Sequence, residues 1–313
     1  MPTLKPFFNC WYILSFLAGM FYFAEKGALA DNAKSNSFSV GVSKFEDVNR
    51  EDESISPVQG IIRTTLLPTH TQFVSAKVFR LWLEKYHGVH QPITDYVRDT
   101  DVLEIKGTWD NANKPLIAFG LPHKTISAGH LPDYDLSHTK VIIVDCPGTI
   151  PRLAWQKVRD FVACGGSLLT TDWALNNLLV KIFPGVIEWN HWQSKSEVVD
   201  AEVITLPPSL SMGVVSRAGW KLDAESQTVR ILKTDIVKIL VRSLSLAHQE
   251  PDRQGILAVS FDFGRGHVLH LVGHFDNNAF LGGTNALPDP APVIGISLRQ
   301  ALAANFVLKA LGL

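Results

Sequence analysis

The residues from Lys140 to Gly185 constrain this chain more than any others. Lys140–Val144 (KVIIV) is an unbroken β-branched run, the pattern of a strand covered on both faces. Asp145-Cys146-Pro147-Gly148 follows, and Pro147-Gly148 breaks the run into a turn. Residues 151–163 then place Leu153, Trp155, Val158, Phe161 and Val162 on the apolar side of a helix, with Pro151 suited to its first turn. Cys164-Gly165-Gly166 stops that helix, and Ser167–Thr171 (SLLTT) reads as the next strand. Asp172 opens a further helix that ends at Phe183-Pro184-Gly185. Strand, helix, strand, helix in that order calls for a parallel sheet with right-handed crossovers.

Flanking segments extend the pattern. Gly60–Leu67 suits a short strand, and residues 73–86 place Val74, Val78, Leu81 and Trp82 on one helical face. Val102–Ile105 is a candidate strand, 111–119 a helix ending at Gly120, and Lys124–Ser127 extended. Residues 186–254 are β-rich. In them Trp189, His191, Trp192 and Trp220 form an aromatic group, either a small core or an exposed patch for a partner. Gly255–Phe261 and His267–Val272 form a hairpin around Phe263-Gly264-Arg265-Gly266. That glycine pair is a turn between strands rather than a phosphate loop, because no helix follows it. His267 and His270, three apart on a strand, point to opposite faces and are not expected to share a metal. A long loop rich in Gly, Pro and Asn spans 276–294, and a last helix spans about 296–311, with Leu302, Phe306 and Leu311 in its core face.

The chain is 313 residues long, 46% apolar and 19% charged, which excludes disorder as the dominant state. The apolar content is uneven. Lys5 precedes the 17-residue run FFNCWYILSFLAGMFYF, and Ala28-Leu29-Ala30 fits a small-x-small cleavage site. Residues 1–30 therefore read as a secretory signal peptide cleaved after Ala30, giving a secreted or periplasmic product; an uncleaved run would anchor the chain to a membrane. Residues 31–57 are a polar leader, and the folded α/β domain covers 58–313. The 29 basic and 30 acidic residues, less Lys5, Lys26 and Glu25, leave 27 and 29, a formal net charge of −2. No global positive field draws such a chain to nucleic acid. Of three cysteines, Cys10 leaves with the signal. Cys146 and Cys164 stand at opposite ends of a helix roughly 20 Å long, beyond the ~7 Å reach of a disulfide, so both are expected as free thiols.

The segments VIIVDCPG, FVACGG, SLLTTDWAL and FPG, together with GRGHVLHLVGHFD, resemble the class I glutamine amidotransferase-like superfamily, in particular its trehalose-utilisation-like, non-amidotransferase branch. The resemblance covers residues 100–313. It implies a flavodoxin-like parallel sheet with flanking helices and a late β-hairpin. In glutamine-hydrolysing members the second of these strands ends in a cysteine on a tight elbow, and a His-x-Glu pair follows the late strand. Here the elbow falls on Asp172, and the late pair is His274-Phe275-Asp276. The resemblance thus implies that glutamine hydrolysis by that route is absent. Cys146 lies one crossover earlier, on the side resembling the oxyanion loop, and is not expected to stand in for the missing thiol.

What remains is a candidate group of Asp172, His274 and Asp276 for acid–base work or metal binding, with Asp145, Cys146, Trp173 and Trp109 as ligand contacts. Trp109-Asp110 follows a strand end and would line the same cleft. All lie at carboxyl ends of strands, where open α/β sheets bind ligands. Each has a structural alternative: Asp172 as a helix N-cap, His274 as a satisfied strand-end histidine, Asp276 in an Asx turn, Cys146 and Trp173 in the core. No zinc-finger, P-loop or nucleophilic-serine motif is present, and the sequence calls for neither a cofactor nor a resident metal. The expectation is an exported, catalytically divergent binding or assembly module with a protein, small-molecule or carbohydrate partner. The alternative is a hydrolase on a carbohydrate-type substrate.

Overall fold

In the computed structural model of the protein, residues 76–274 and 296–313 are described. The expected signal peptide, leader, Gly60–Leu67 strand, 276–294 loop and Asp276 lie outside the described residues.

The parallel sheet is built as its hydrophobic runs demand. Its strands β1 (Val102–Lys106), β2 (Lys124–Ser127), β3 (Val141–Val144) and β4 (Ser167–Thr171) pair in parallel with β11 (Gly266–Leu271), in the order β2-β1-β3-β4-β11. That is the flavodoxin-like order 2-1-3-4-5. Every residue of β3 and of β4 is buried, as a strand covered on both faces requires. The flanking helices among the described residues include α1 (Ala76–His87), α2 (Asn113–Ala118), α3 (Arg152–Ala163) and α4 (Val180–Ile182). A π-helical turn, Leu175–Leu179, runs directly into α4.

The sheet is larger than the sequence led us to expect, because its far half is antiparallel. Beyond β11 it continues through β10 (Ile256–Phe263), β9 (Lys238–Arg242), β6 (Glu197–Val203) and β7 (Arg217–Leu222), making nine strands among the described residues. Strands β5 (Ile187–Gln193) and β8 (Gln227–Ile231) form a separate antiparallel ribbon. Short helices α5 (Pro208–Ser211) and α6 (Leu244–Gln249) connect these strands. The last helix, α7 (Leu298–Leu311), starts on a capping box between Ser297 and Gln300 and packs on β3, β4 and β7.

Three expectations change at the level of packing. Leu81 is 56% exposed, and Phe79, Trp82 and Leu83 carry the buried face of α1 instead. Leu153 is 86% exposed, and α3 buries Ala154, Val158 and Val162. Helical spacing finds an apolar stripe but does not say where on it the sheet ends. Trp220 belongs to the main sheet and is fully buried, whereas Trp189 and Trp192 are half-buried on the β5–β8 ribbon, where the Trp189 indole N–H donates to the Trp192 carbonyl.

On β11, His267 pairs with Asp262 near the surface while His270 is completely buried, so the two do face apart. His270 Nδ1 shares a 2.9 Å hydrogen bond with Thr170 Oγ1, and burial lowers its pKa to about 3. The fold thus holds this ring neutral, whereas an unfolded chain protonates it near 6.5. Its contribution is complete above pH 6.5 and is lost as pH falls from 6.5 towards 3, at about 1.4 kcal/mol per pH unit. Denaturant melts between pH 7 and 4 should show a flatter acid limb in His270→Leu than in the unsubstituted chain. Parallel limbs would disprove the assignment.

Candidate active site

Strand register alone brings the site together. Val144 pairs with Thr170, so Cys146, two residues on, stands beside Asp172. Leu271 pairs with Thr171, so His274 emerges from the next strand at the same edge. The Asp172 N–H donates to the Leu271 carbonyl at 3.0 Å and closes this junction.

Asp172 sits on a strained elbow, with φ +43° between β4 and the π-helical turn. Its carboxylate does not cap that helix. Oδ1 accepts the Gln227 N–H at 2.7 Å, Ser226 Oγ lies 3.4 Å from Oδ2, and Oδ2 lies 3.5 Å from His274 Nε2. Gly148 makes room for the elbow. At its φ of +74°, a Cβ would fall 2.3 Å from the Cα and Cβ of Ala174. Gly148→Ala should therefore destabilise by about 2–4 kcal/mol, overpacking adding to the left-handed penalty. Gly185, with φ +75° and open space around it, should cost only about 1–2 kcal/mol on the same change. Equal shifts in denaturation midpoint for the two would remove the packing argument.

The other nitrogen of His274, Nδ1, lies 3.1 Å from Asp223 Oδ2, a close ion pair rather than a well-aligned hydrogen bond. The Cys146 thiol is within hydrogen-bond reach of both His274 and the Trp173 N–H. Cys146 Sγ, an Asp172 oxygen and a His274 nitrogen all lie within 4.8 Å of one another. Cys146 lies one crossover earlier yet stands in this group, because β3 and β4 are neighbours. The expectation for the two described cysteines holds. Cys146 and Cys164 are free thiols, the first buried and the second exposed.

Burial raises the Asp172 carboxyl to about 6, against the pull of the His274 charge and the Gln227 N–H. Burial works against a charged His274, but its pairing with Asp223, the Cys146 contact and the charges of Asp110 and Asp172 outweigh it and hold the imidazole well above its usual value. Burial also pushes Asp223 up, and the His274 pairing overrides it to leave the carboxylate below its usual range. Burial, reinforced by the Asp172 charge, pushes the Cys146 thiol up despite His274. At neutral pH the site is a carboxylate facing an imidazolium, with a protonated thiol alongside.

Asp223 and its surroundings escaped the sequence reading. The turn 223–226 between β7 and β8 lies over the elbow: besides Asp223 and Ser226, and Gln227 that follows it, it gives the Glu225 carbonyl that accepts the Trp173 indole N–H at 2.8 Å. Arg299 of α7 was also missed. It is 1% exposed, its guanidinium carbon lies 4.5 Å from the Trp220 ring centroid, and it donates to the carbonyls of His274, at 2.6 Å, and Lys221.

Asp145 turns away from this group. It lies at the β1/β3 switch point, where Oδ2 accepts the Ala112 N–H at 3.0 Å, beside buried Glu104 and Asp110. Burial and then the charges of Asp110 and Glu104 hold its carboxyl well above the usual range. Asp110 reaches the site's floor through Thr171, whose hydroxyl donates to it at 2.7 Å. Trp109 is 45% exposed, its backbone N–H donates to the Cys146 carbonyl at 3.1 Å, and Trp173 is half-buried.

No family model matches the sequence, and no curated protein does. Solved structures give modest likenesses. A ThuA-like protein from Parabacteroides merdae ATCC 43184 is 13% identical at a TM-score of 0.46, covering 69% of this chain and 90% of its own. A ThuA-like protein from Bacteroides uniformis ATCC 8492 is 14% identical at 0.45, covering 68% and 91%. A beta-galactosidase from Bacillus circulans sp. alkalophilus is 16% identical at 0.40, and the match spans 61% of this chain but 25% of the enzyme. None of these likenesses carries an activity, substrate or partner over to this chain.

Proposed function

We propose that this chain is an exported hydrolase of amidotransferase-like fold, without glutamine amidotransferase activity, acting on a polar, carbohydrate-type substrate. The observation that carries the reading is the elbow carboxylate of Asp172, 3.5 Å from His274 Nε2, while Asp223 holds the opposite nitrogen at 3.1 Å. Nucleophile, base and orienting groups in other hydrolytic sites meet at about 2.6–3.2 Å and often looser without substrate, and the pair here stands at the loose end of that reach. Asp172 Oδ2 takes a proton from a water whose oxygen bonds to the electrophilic carbon. The bond from that carbon to the leaving oxygen breaks, and the oxygen takes its electron pair and a proton from His274 Nε2. The proton on Asp172 then returns to His274 across the 3.5 Å gap, which resets the pair. Trp109, half exposed beside the site, offers a face on which a sugar ring stacks. Export rests on residues 1–30.

The test is a panel of aryl glycosides and esters, with glutamine as the negative member, assayed on the chain and on Asp172→Asn. Turnover of a panel member that fails in the variant, with no glutamate released from glutamine, is the expected result. Turnover that the variant retains would overturn the assignment. Saturable ligand binding with no turnover would replace the hydrolase with a binding module.

A further inference from the structure

The same three side chains that meet at the elbow carry a property the acid–base reading does not use. We propose that Cys146 Sγ, Asp172 Oδ2 and His274 Nε2 form a divalent metal site of the zinc type, with the fourth position open. The inference rests on reading this edge as the reactive centre, and an ion on Oδ2 and Nε2 occupies both proton-carrying atoms, so it replaces the proton relay between Asp172 and His274 rather than adding to it.

Four observations support it. The ligand atoms lie within 4.8 Å of one another and two of them are already 3.5 Å apart. Tetrahedral zinc at 2.0–2.3 Å from its ligands needs them about 3.3–3.8 Å apart, so closure requires only side-chain adjustment of about 1 Å. The residues leave three adjacent strands, and Cys146 and Asp172 are buried, unlike the loose surface carboxylates that cluster without binding an ion. The surroundings are those of a metal ligand set: Asp223 stands on the His274 nitrogen facing away from the site, and the Gln227 N–H fixes one Asp172 oxygen so that the other points inward. One thiolate and one carboxylate neutralise a doubly charged ion, and a sulfur–nitrogen–oxygen set selects zinc over magnesium or calcium. Three protein ligands leave a place for water, as at catalytic rather than structural zinc. Bound there, the ion takes the place of the proton on Nε2.

The purified chain, stripped with a chelator, is titrated with Co²⁺ as a spectroscopic probe and then with Zn²⁺. One ion per chain should bind, with a thiolate-to-cobalt absorption band that Zn²⁺ displaces. The band should vanish in Cys146→Ser and persist in Cys164→Ser, and Asp223→Asn should weaken binding by about 10–100-fold. A folded chain with no such band, or a band that survives Cys146→Ser, would overturn the site. If Cys146→Ser does not fold, the affinity of Asp223→Asn decides in its place, an unchanged value counting against the site. Hydrolysis and metal binding fail separately: turnover by the stripped chain with no cobalt band keeps the hydrolase and removes the metal, and a cobalt band without turnover does the reverse.

Discussion

Asp172→Asn is expected to lower hydrolytic turnover by about 10²–10⁴-fold while leaving the fold intact. Asparagine keeps the side-chain volume and can still accept the Gln227 N–H through its carbonyl oxygen. Its amide then presents N–H groups to His274 Nε2 where a carboxylate stood 3.5 Å away. The proton acceptor is gone, and the imidazole loses one of the charges that hold it protonated. The loss should fall on kcat more than on KM, because the missing step is a proton transfer. Asp145→Asn is the matched control. That carboxyl is buried and turned from the site, and an amide keeps its shape and can still accept the Ala112 N–H through its oxygen. Turnover should survive there. Equal losses in both variants would mean that the effect is general damage to the sheet edge.

Arg299→Met should destabilise the protein by about 3–5 kcal/mol, the range for removing one member of a buried charged network. The guanidinium is buried, stacks on Trp220 and satisfies the carbonyls of Lys221 and His274. Methionine fills much of the volume but leaves both carbonyls short of a donor. It also removes a positive charge that draws down the carboxyls of Asp172 and Asp223. For a domain of this size the melting temperature should fall by about 10 °C. Arg299→Lys keeps the charge but not the two-pronged donation, and should recover only part of the loss. A shift of under 2 °C in Arg299→Met would show that the guanidinium is not integral to the fold.

The parallel half of the sheet was legible because strands buried on both faces must be written as continuous apolar runs. Val141–Val144 (VIIV) is such a run, and Ser167–Thr171 (SLLTT) follows it as the next strand after a helix and a Gly-Gly stop. Asp172 and His274 were legible for the same reason, as polar residues at the ends of such runs. Asp223 was not. It lies in a short polar turn, Asp223–Ser226, that looks like any surface connection, and only the antiparallel extension carries it to His274. Arg299 was hidden by the opposite effect, an ordinary helix residue whose charge is buried by Trp220 and the 272–274 segment. Cys146 was legible as a contact at this edge: one crossover separates it from the elbow in sequence, but a single strand spacing does so in space.

The placement of the two described thiols has a practical side. A chain beginning at Asp31 contains no other cysteine. Cys164 is exposed at the far end of α3, and Cys146 is buried among the reacting groups. A maleimide dye or a surface tether will therefore go onto Cys164 first, roughly a helix length of 20 Å from the chemistry. The protein carries its own attachment point for immobilisation or fluorescence, on the edge of the sheet that the active centre does not use.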